Sequence, residues 1–339
     1  MRALPLWDEG VRKGPEEPTL FEQFVRRLHL PYPVVCLLLA IIPGYAASNF
    51  GETIVAWPVW TLEAFYMLYV IRYMRLKVVS AEARLASLCP QGKATFHRVF
   101  GRLSRPRPQA FLILVVVGIS FAYFSRLFRF TGPFYLVLSS TTLIVFSVAW
   151  GTVVWVYLSS IQGLHLLGKG PLNLKSYHED IMLGVRPLGS LSLHLTFVYL
   201  SVIGLGAIAT SFFADLFMIV SITVFAIIGI AMFFLPLRSI HRLMSQEKNR
   251  AESAIRSQYL QLASQPESRM PASSDMTMAG LGSLLADVKG LLAIGMAEHR
   301  VESIPTWPFD GKILGRLFLV SLSVVAILLA RVAIVALHL

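Results

Sequence analysis

The chain has 339 residues, 55% of them hydrophobic and only 14% charged, with a mean hydropathy of +0.65. Soluble domains carry roughly 25% charged residues, so a deficit this large excludes a chain surrounded wholly by water. The net charge of +11 does not point to nucleic acid, because Lys and Arg fall between apolar runs, as in loops facing anionic lipid, and no basic stripe with interleaved aromatics is present.

Residues 1–33 read as a cytoplasmic or interfacial segment, with no secretory signal. Within it Leu20, Phe21, Phe24, Val25 and Leu28 fall at helical spacing, with Glu22, Gln23, Arg26 and Arg27 between them. This is a short amphipathic helix that either lies on the inner membrane surface or packs as a cytoplasmic helix. Cys36 opens an apolar run and Cys89 lies in a basic connection. Neither has the spacing of a metal site or a disulfide framework, so both are expected as free thiols.

A helix needs about 20 apolar residues to cross the hydrocarbon core. Seven segments come close, at approximately 34–50, 54–74, 109–128, 133–158, 189–213, 215–236 and 315–337. The first is short and carries Pro43 and Gly44, where a kink is expected. The connections alternate. Ser48 to Glu52 holds no Lys or Arg, and Ala214-Asp215 is minimal. The N-terminal segment, the loop from Arg72 to Arg107, the loop holding Lys169, Lys175 and Arg186, and the segment after Arg238 are long and basic. Positive charge resists translocation. The expected orientation is therefore N-terminus cytoplasmic and C-terminus outside, in the cell (plasma or inner) membrane, with only Arg126 and Arg129 on the wrong side. Trp57, Trp60, Trp155 and Tyr157 suit interface anchors.

Residues 238–311 are water-compatible. Ile240, Leu243, Met244, Ala251, Ile255, Tyr259 and Leu262 trace one helical face, continuing the sixth span without a break. Gln265 to Met276, with Pro266 and Pro271, reads as a turn. Leu281, Leu284, Leu285, Val288, Leu291, Leu292 and Met296 trace a returning helix. Pro305 and Pro308 end it, and Trp307 and Phe309 suit the membrane interface. The expectation is an antiparallel, coiled-coil-like hairpin, with a final span in 312–339.

Ionisable residues inside spans are costly and are functional candidates by default. Three stand out: Glu63 in the second span, Arg331 in the seventh and His194 in the fifth. Glu63 and Arg331 lie at similar depth and could pair. That pair would either lock two helices or relay protons or ions; alternatively Arg331 snorkels to the outer interface. His194 reads as a packed, hydrogen-bonded histidine. His178, Glu179 and Asp180 are consecutive, so they do not converge as an H-E-x-x-H pair does, and a solvated loop is expected. No catalytic constellation, metal site or cofactor motif is visible.

Two stretches carry a resemblance. One is His178-Glu179-Asp180 followed by Gly184-Val185-Arg186-Pro187-Leu188-Gly189. The other is His241-Arg242-Leu243-Met244 with Glu247-Lys248, then Arg300-Val301-Glu302 and Trp307-Pro308-Phe309-Asp310. Roughly residues 165–339 thereby resemble a diffuse group of prokaryotic polytopic membrane proteins without established activity. The group has a proline between the His and the acid where this chain has Glu179. The resemblance implies the layout and no reaction.

The sequence thus points to an all-α polytopic transmembrane bundle of about seven spans with a cytoplasmic helical hairpin. The expected function is a non-enzymatic membrane scaffold. Its partners would be anionic inner-leaflet lipid and, through 238–300, a protein or a second copy. The alternative is a transporter or ion channel using Glu63 and Arg331.

Overall fold

The computed structural model describes residues 15–49, 56–127, 132–174, 182, 184–209 and 216–263, with isolated positions between 288 and 333. Among these residues the chain is all-α, without a strand. Its continuous helices are α1 (Leu20–Arg27), α2 (Tyr32–Asn49), α3 (Ala56–Ser80), α4 (Glu82–Ala86), α5 (Lys93–Phe100), α6 (Pro106–Leu127), α7 (Pro133–Lys169), α8 (Arg186–Ala209) and α9 (Leu216–Ala263).

Among the described residues, three helical stretches are long and apolar enough to cross a membrane: Pro133–Lys169, Arg186–Ala209 and Ile219–Gln261. The pair Leu20–Arg27 and Tyr32–Ala47 reaches that size only when taken together, and it is bent by 102°. The apolar part of α6, Pro106–Ala122, is shorter. α3 is not among them. Its 25 residues include Glu63, Arg72, Arg75 and Lys77. Most of the segment expected to form the seventh span lies outside the described residues.

The capping box of α1 follows from its sequence. Glu22 N–H donates to Thr19 Oγ1 at 3.3 Å, and Thr19 N–H donates back to the Glu22 carboxylate at 2.9 Å. These bonds satisfy two donors that a helix start leaves open. Behind it, His29 takes a left-handed φ of 54°, an uncommon conformation for a non-glycine residue, where the chain turns into α2.

Close helix contacts are made at glycines. A Cβ on Gly44 of α2 would fall 1.9 Å from Thr61 Oγ1 and 2.9 Å from the Trp57 carbonyl of α3. A Cβ on Gly151 of α7 would fall 3.0 Å from the Ile113 Cα of α6. Small residues at such positions let backbones approach, which suits packing in lipid, where no hydrophobic drive holds helices together.

The connection expected as a basic loop, from Lys77 to Arg107, is folded. Leu85, Leu88, Phe96, Phe100 and Leu103 of this stretch are buried. α5 packs on α7, where the Phe100 ring leaves no room for a Cβ on Gly163. Trp155 Nε1 donates to the Leu103 carbonyl at 3.2 Å, and Asn173 N–H donates to the Leu88 carbonyl at 2.8 Å. α7 therefore runs on past its expected end at residue 158. Ile161, Leu164 and Leu167 of that extension are buried.

Both cysteines are free and buried. Burial pushes the Cys89 thiol up, and its Sγ donates to the Leu85 carbonyl at 3.3 Å. A raised thiol holds less thiolate at any pH below its titration point, and the thiolate is the reacting species. Iodoacetamide at mildly alkaline pH should modify Cys89 at least about tenfold more slowly in the folded protein than in the SDS-unfolded chain. Equal rates, read by mass spectrometry, would show the Cys89 turn to be open.

The chain divides into two compact units. The first holds Met1–Asn173, Pro187–Pro236 and Phe309–Leu339. The second holds Leu174–Arg186 and Leu237–Pro308. α9 is continuous over 48 residues, through Pro236. In the second unit Leu237, Ile240, Met244 and Ile255 are buried, whereas Tyr259 and Leu260 are exposed. The inward face of α9 thus fades after Ile255. The turn expected at 265–276 and much of the returning helix lie outside the described residues.

Candidate functional site

Glu63 lies within α3, more than one turn from either end. Only 3% of its surface is exposed, and its Oε2 has no hydrogen-bond partner among the described residues. No described cation pairs with it. Helix α8 closes on the carboxyl at Gly206. A Cβ on Gly206 of α8 would lie 3.0 Å from Glu63 Oε1 and 3.6 Å from Trp150 Cζ2 of α7. Glycine at 206 therefore makes the space that the carboxyl fills. Trp150 is held in turn by stacking on Phe225 of α9, with centroids 5.4 Å apart.

Glu63 is the first member of a polar row. Residues 63, 66, 70, 73 and 77 recur every three or four positions, which puts them on one face of α3. Tyr66 Oη meets Ser201 Oγ at 2.6 Å, and Tyr73 Oη meets His194 Nε2 at 2.7 Å. The Lys77 ammonium lies 5.4 Å from the centre of the Tyr73 ring. Passing down α3 from 63 to 73, the partners run back along α8 from 206 to 194, so the two helices are antiparallel. Val70, buried between the two hydroxyl pairs, is the apolar break in the row. Glu63 and His194 stand out separately in the sequence. Tyr66 and Tyr73 are legible only from the three-and-four spacing on α3, and Ser201 of α8 only from its contact with Tyr66.

A second polar cluster lies where α1 docks at the C-terminal end of α3. Arg75 Nε donates to both Glu22 carboxylate oxygens, at 2.8 and 3.1 Å, and its Nη2 donates to Glu22 Oε1 at 2.9 Å. Its Nη1 donates to the Glu16 carbonyl at 2.9 Å. Both side chains are almost wholly buried, at 6% and 4% exposure. Sequence reasoning placed Glu22 on the polar face of α1, but it faces inward with Phe21 and Val25, while Phe24 and Leu28 are exposed.

Glu16, Glu82 and His97 bring potential metal ligand atoms within 4.8 Å of one another. The Glu82 carboxylate is already engaged, with His97 Nε2 at 3.2 Å and Lys93 Nζ at 3.6 Å. The group therefore reads as an ion-pair network joining α4 and α5.

The other expected site residues divide as follows. Arg331, His178, Asp180, Trp307 and Phe309 lie outside the described residues, and Arg186 is exposed at the first position of α8. The pairing expected of Glu63 and Arg331 is therefore not among the contacts described. Tyr157, expected as an interface anchor, is instead fully buried. It stacks on Tyr199 with centroids 4.2 Å apart and donates to the Gly229 carbonyl at 2.7 Å. Trp60, also expected at the interface, packs edge-on against Phe146.

No protein family, curated protein or solved structure matches the chain.

Proposed function

We propose that this protein is a polytopic transporter or channel, not an enzyme, and that a cation exchanges on the Glu63 carboxyl during its cycle. One observation carries the reading: a carboxyl buried in the first unit whose Oε2 has no hydrogen-bond partner among the described residues. Burying an unpaired ionised carboxylate is far more costly than burying a hydrogen-bonded neutral group. A carboxyl in that position is therefore charge-compensated by a proton or another cation. Carboxyls of this kind mark ion pathways in membranes.

The membrane layout belongs to the same proposal. α2, α3, α6, α7, α8, the first half of α9 and the segment near 315–337 form about seven spans in the cell membrane. The N-terminus and the basic connections are cytoplasmic, the C-terminus is outside, and the segment 238–311 is a cytoplasmic hairpin that can engage a protein partner or a second copy. The ion pair between Glu22 and Arg75 supports the hairpin of α2 and α3, whichever side it faces. It ties the residues before α2 to the C-terminal end of α3, in keeping with two spans that leave one face and return to it.

The test is flux in proteoliposomes, read with dyes for H⁺, Na⁺ and K⁺ under an imposed gradient. Wild type should pass at least one of these ions, and Glu63→Gln should abolish that flux while keeping the monodisperse elution of the folded protein. Flux that is the same in wild type and variant, including none in both, overturns the reading.

A further inference from the structure

We infer that the cation taken by Glu63 is a proton, and that it exchanges along the seam between α3 and α8 that ends at Tyr73 and His194. The inference rests on the reading of Glu63 as the exchanging group.

The ligand set decides between cations. Calcium and magnesium take six or more oxygen ligands, and an alkali cation likewise needs several. Membrane proteins that bind sodium near the bilayer centre supply them from unwound backbone and the ends of broken helices. None of that is available at Glu63. α3 is continuous from Ala56 to Ser80, α7 from Pro133 to Lys169 and α8 from Arg186 to Ala209, so their carbonyls are spent on helical hydrogen bonds. The carboxyl lies against Gly206, where an added Cβ would fall 3.0 Å from its Oε1. Unbroken helices on these sides offer few free carbonyls for a metal ion, and Glu63 Oε2 has no hydrogen-bond partner among the described residues, whereas a proton needs one oxygen.

No fixed charge among the described residues competes for that proton. α2, packed along α3, carries no acid, Lys, Arg or His, only Tyr32, Cys36 and Tyr45 as titratable groups. α7 has His165 and Lys169 near its C-terminal end, with Tyr135 and Tyr157 as its phenols. α8 has Arg186, His194 and Tyr199. On α3 itself the next titratable group is Tyr66, one turn from Glu63, followed by Tyr69, Arg72, Tyr73, Arg75 and Lys77.

The row supplies the route. The carboxyl O–H breaks as a proton passes toward the Tyr66–Ser201 hydroxyls, which hand one on. It is received at the far end by the imidazole of His194, hydrogen-bonded to Tyr73. One proton moves and no electrons do. Glu63 Oε2 has no hydrogen-bond partner among the described residues, and Tyr66 and Tyr73 are seven residues apart, roughly 10 Å along the helix, with Val70 between them. Transfer across both gaps needs transient water, and so the step is gated by hydration of the seam.

The experiment uses the full chain in lipid nanodiscs and a hydrophobic carbodiimide, which reacts with a protonated carboxyl to give a stable acylurea. Glu63 should be modified, as read by peptide mass spectrometry. Labelling should fall about tenfold per pH unit above its titration point and be unchanged by sodium or potassium, and Glu63→Gln should remove the adduct. Protection by sodium or potassium at fixed pH overturns the proton assignment while leaving Glu63 as the exchanging group. Absence of labelling at every pH shows a permanently ionised carboxyl, as a partner such as Arg331 would produce, and overturns it too. So does labelling that ignores pH. For the route, Tyr73→Phe and Ser201→Ala should slow the response of Glu63 labelling to a pH jump while leaving its end level unchanged. An unchanged rate in both variants places the exchange elsewhere.

Discussion

Arg75→Ala should destabilise the protein by about 3–5 kcal/mol, the largest loss expected from any single charge change among the described residues. The substitution removes both donors to the Glu22 carboxylate and the donor to the Glu16 carbonyl. It leaves a buried carboxylate with only the Thr19 amide and hydroxyl to solvate it. The cost lies mainly in that stranded charge and less in the attraction lost, because the desolvation penalty of a buried pair offsets much of its Coulomb energy. The double variant Glu22→Gln/Arg75→Met should therefore be more stable than Arg75→Ala alone. Reversible SDS unfolding measures both. A loss below about 1 kcal/mol for the single variant would fit an exposed pair and would rule out the docked position of α1.

Gly229→Val should cost about 1–3 kcal/mol or more through overpacking. An added Cβ would lie 2.4 and 2.7 Å from Cε1 and Cδ1 of Tyr199. The ring cannot move away easily. It is 1% exposed, stacks on Tyr157 and donates from its hydroxyl to the Phe225 carbonyl at 3.3 Å. Tyr157 is pinned as well, by the Gly229 carbonyl and by Thr196 Oγ1 at 3.1 Å. Gly118→Ala on α6 is the control. Nothing lies within 4 Å of its Cβ position, and alanine favours a helix over glycine by up to about 1 kcal/mol. If the two variants unfold at the same SDS fraction, the contact between α8 and α9 is too loose for the Tyr199 ring to hold its place against Gly229.

The all-α class and the helical segments were legible because apolar runs bounded by Gly, Pro and charge leave few alternatives to a helix. The unbroken passage of α9 beyond Pro236 was legible for a related reason, since the apolar face continues at helical spacing from Ile240 to Ile255. Glu63 stood out because a carboxylate within an apolar run is rare. What escaped was pairing across sequence distance. Nothing in the periodicity of α1 says that Glu22 turns inward, because its partner lies 53 residues away. The fold of the 77–107 stretch escaped because its many Arg and Lys residues mask a small apolar core. Phe96, Phe100 and Leu103, at steps of four and three, were the signal for it. Tyr157 was misassigned because an aromatic near the end of an apolar run reads as an anchor, and only the opposing Tyr199 ring reveals it as packing.

The tie between Glu22 and Arg75 also bears on synthesis. At about 5–20 residues per second, a ribosome takes roughly 3 to 10 s to add the 53 residues that separate them. During that interval α1 has left the tunnel without its counter-ion, and Phe21 and Val25 lack the surface that later covers them. Nascent chains stalled before Arg75 should therefore be cut by protease within residues 16–27, and chains stalled well beyond it should be protected there.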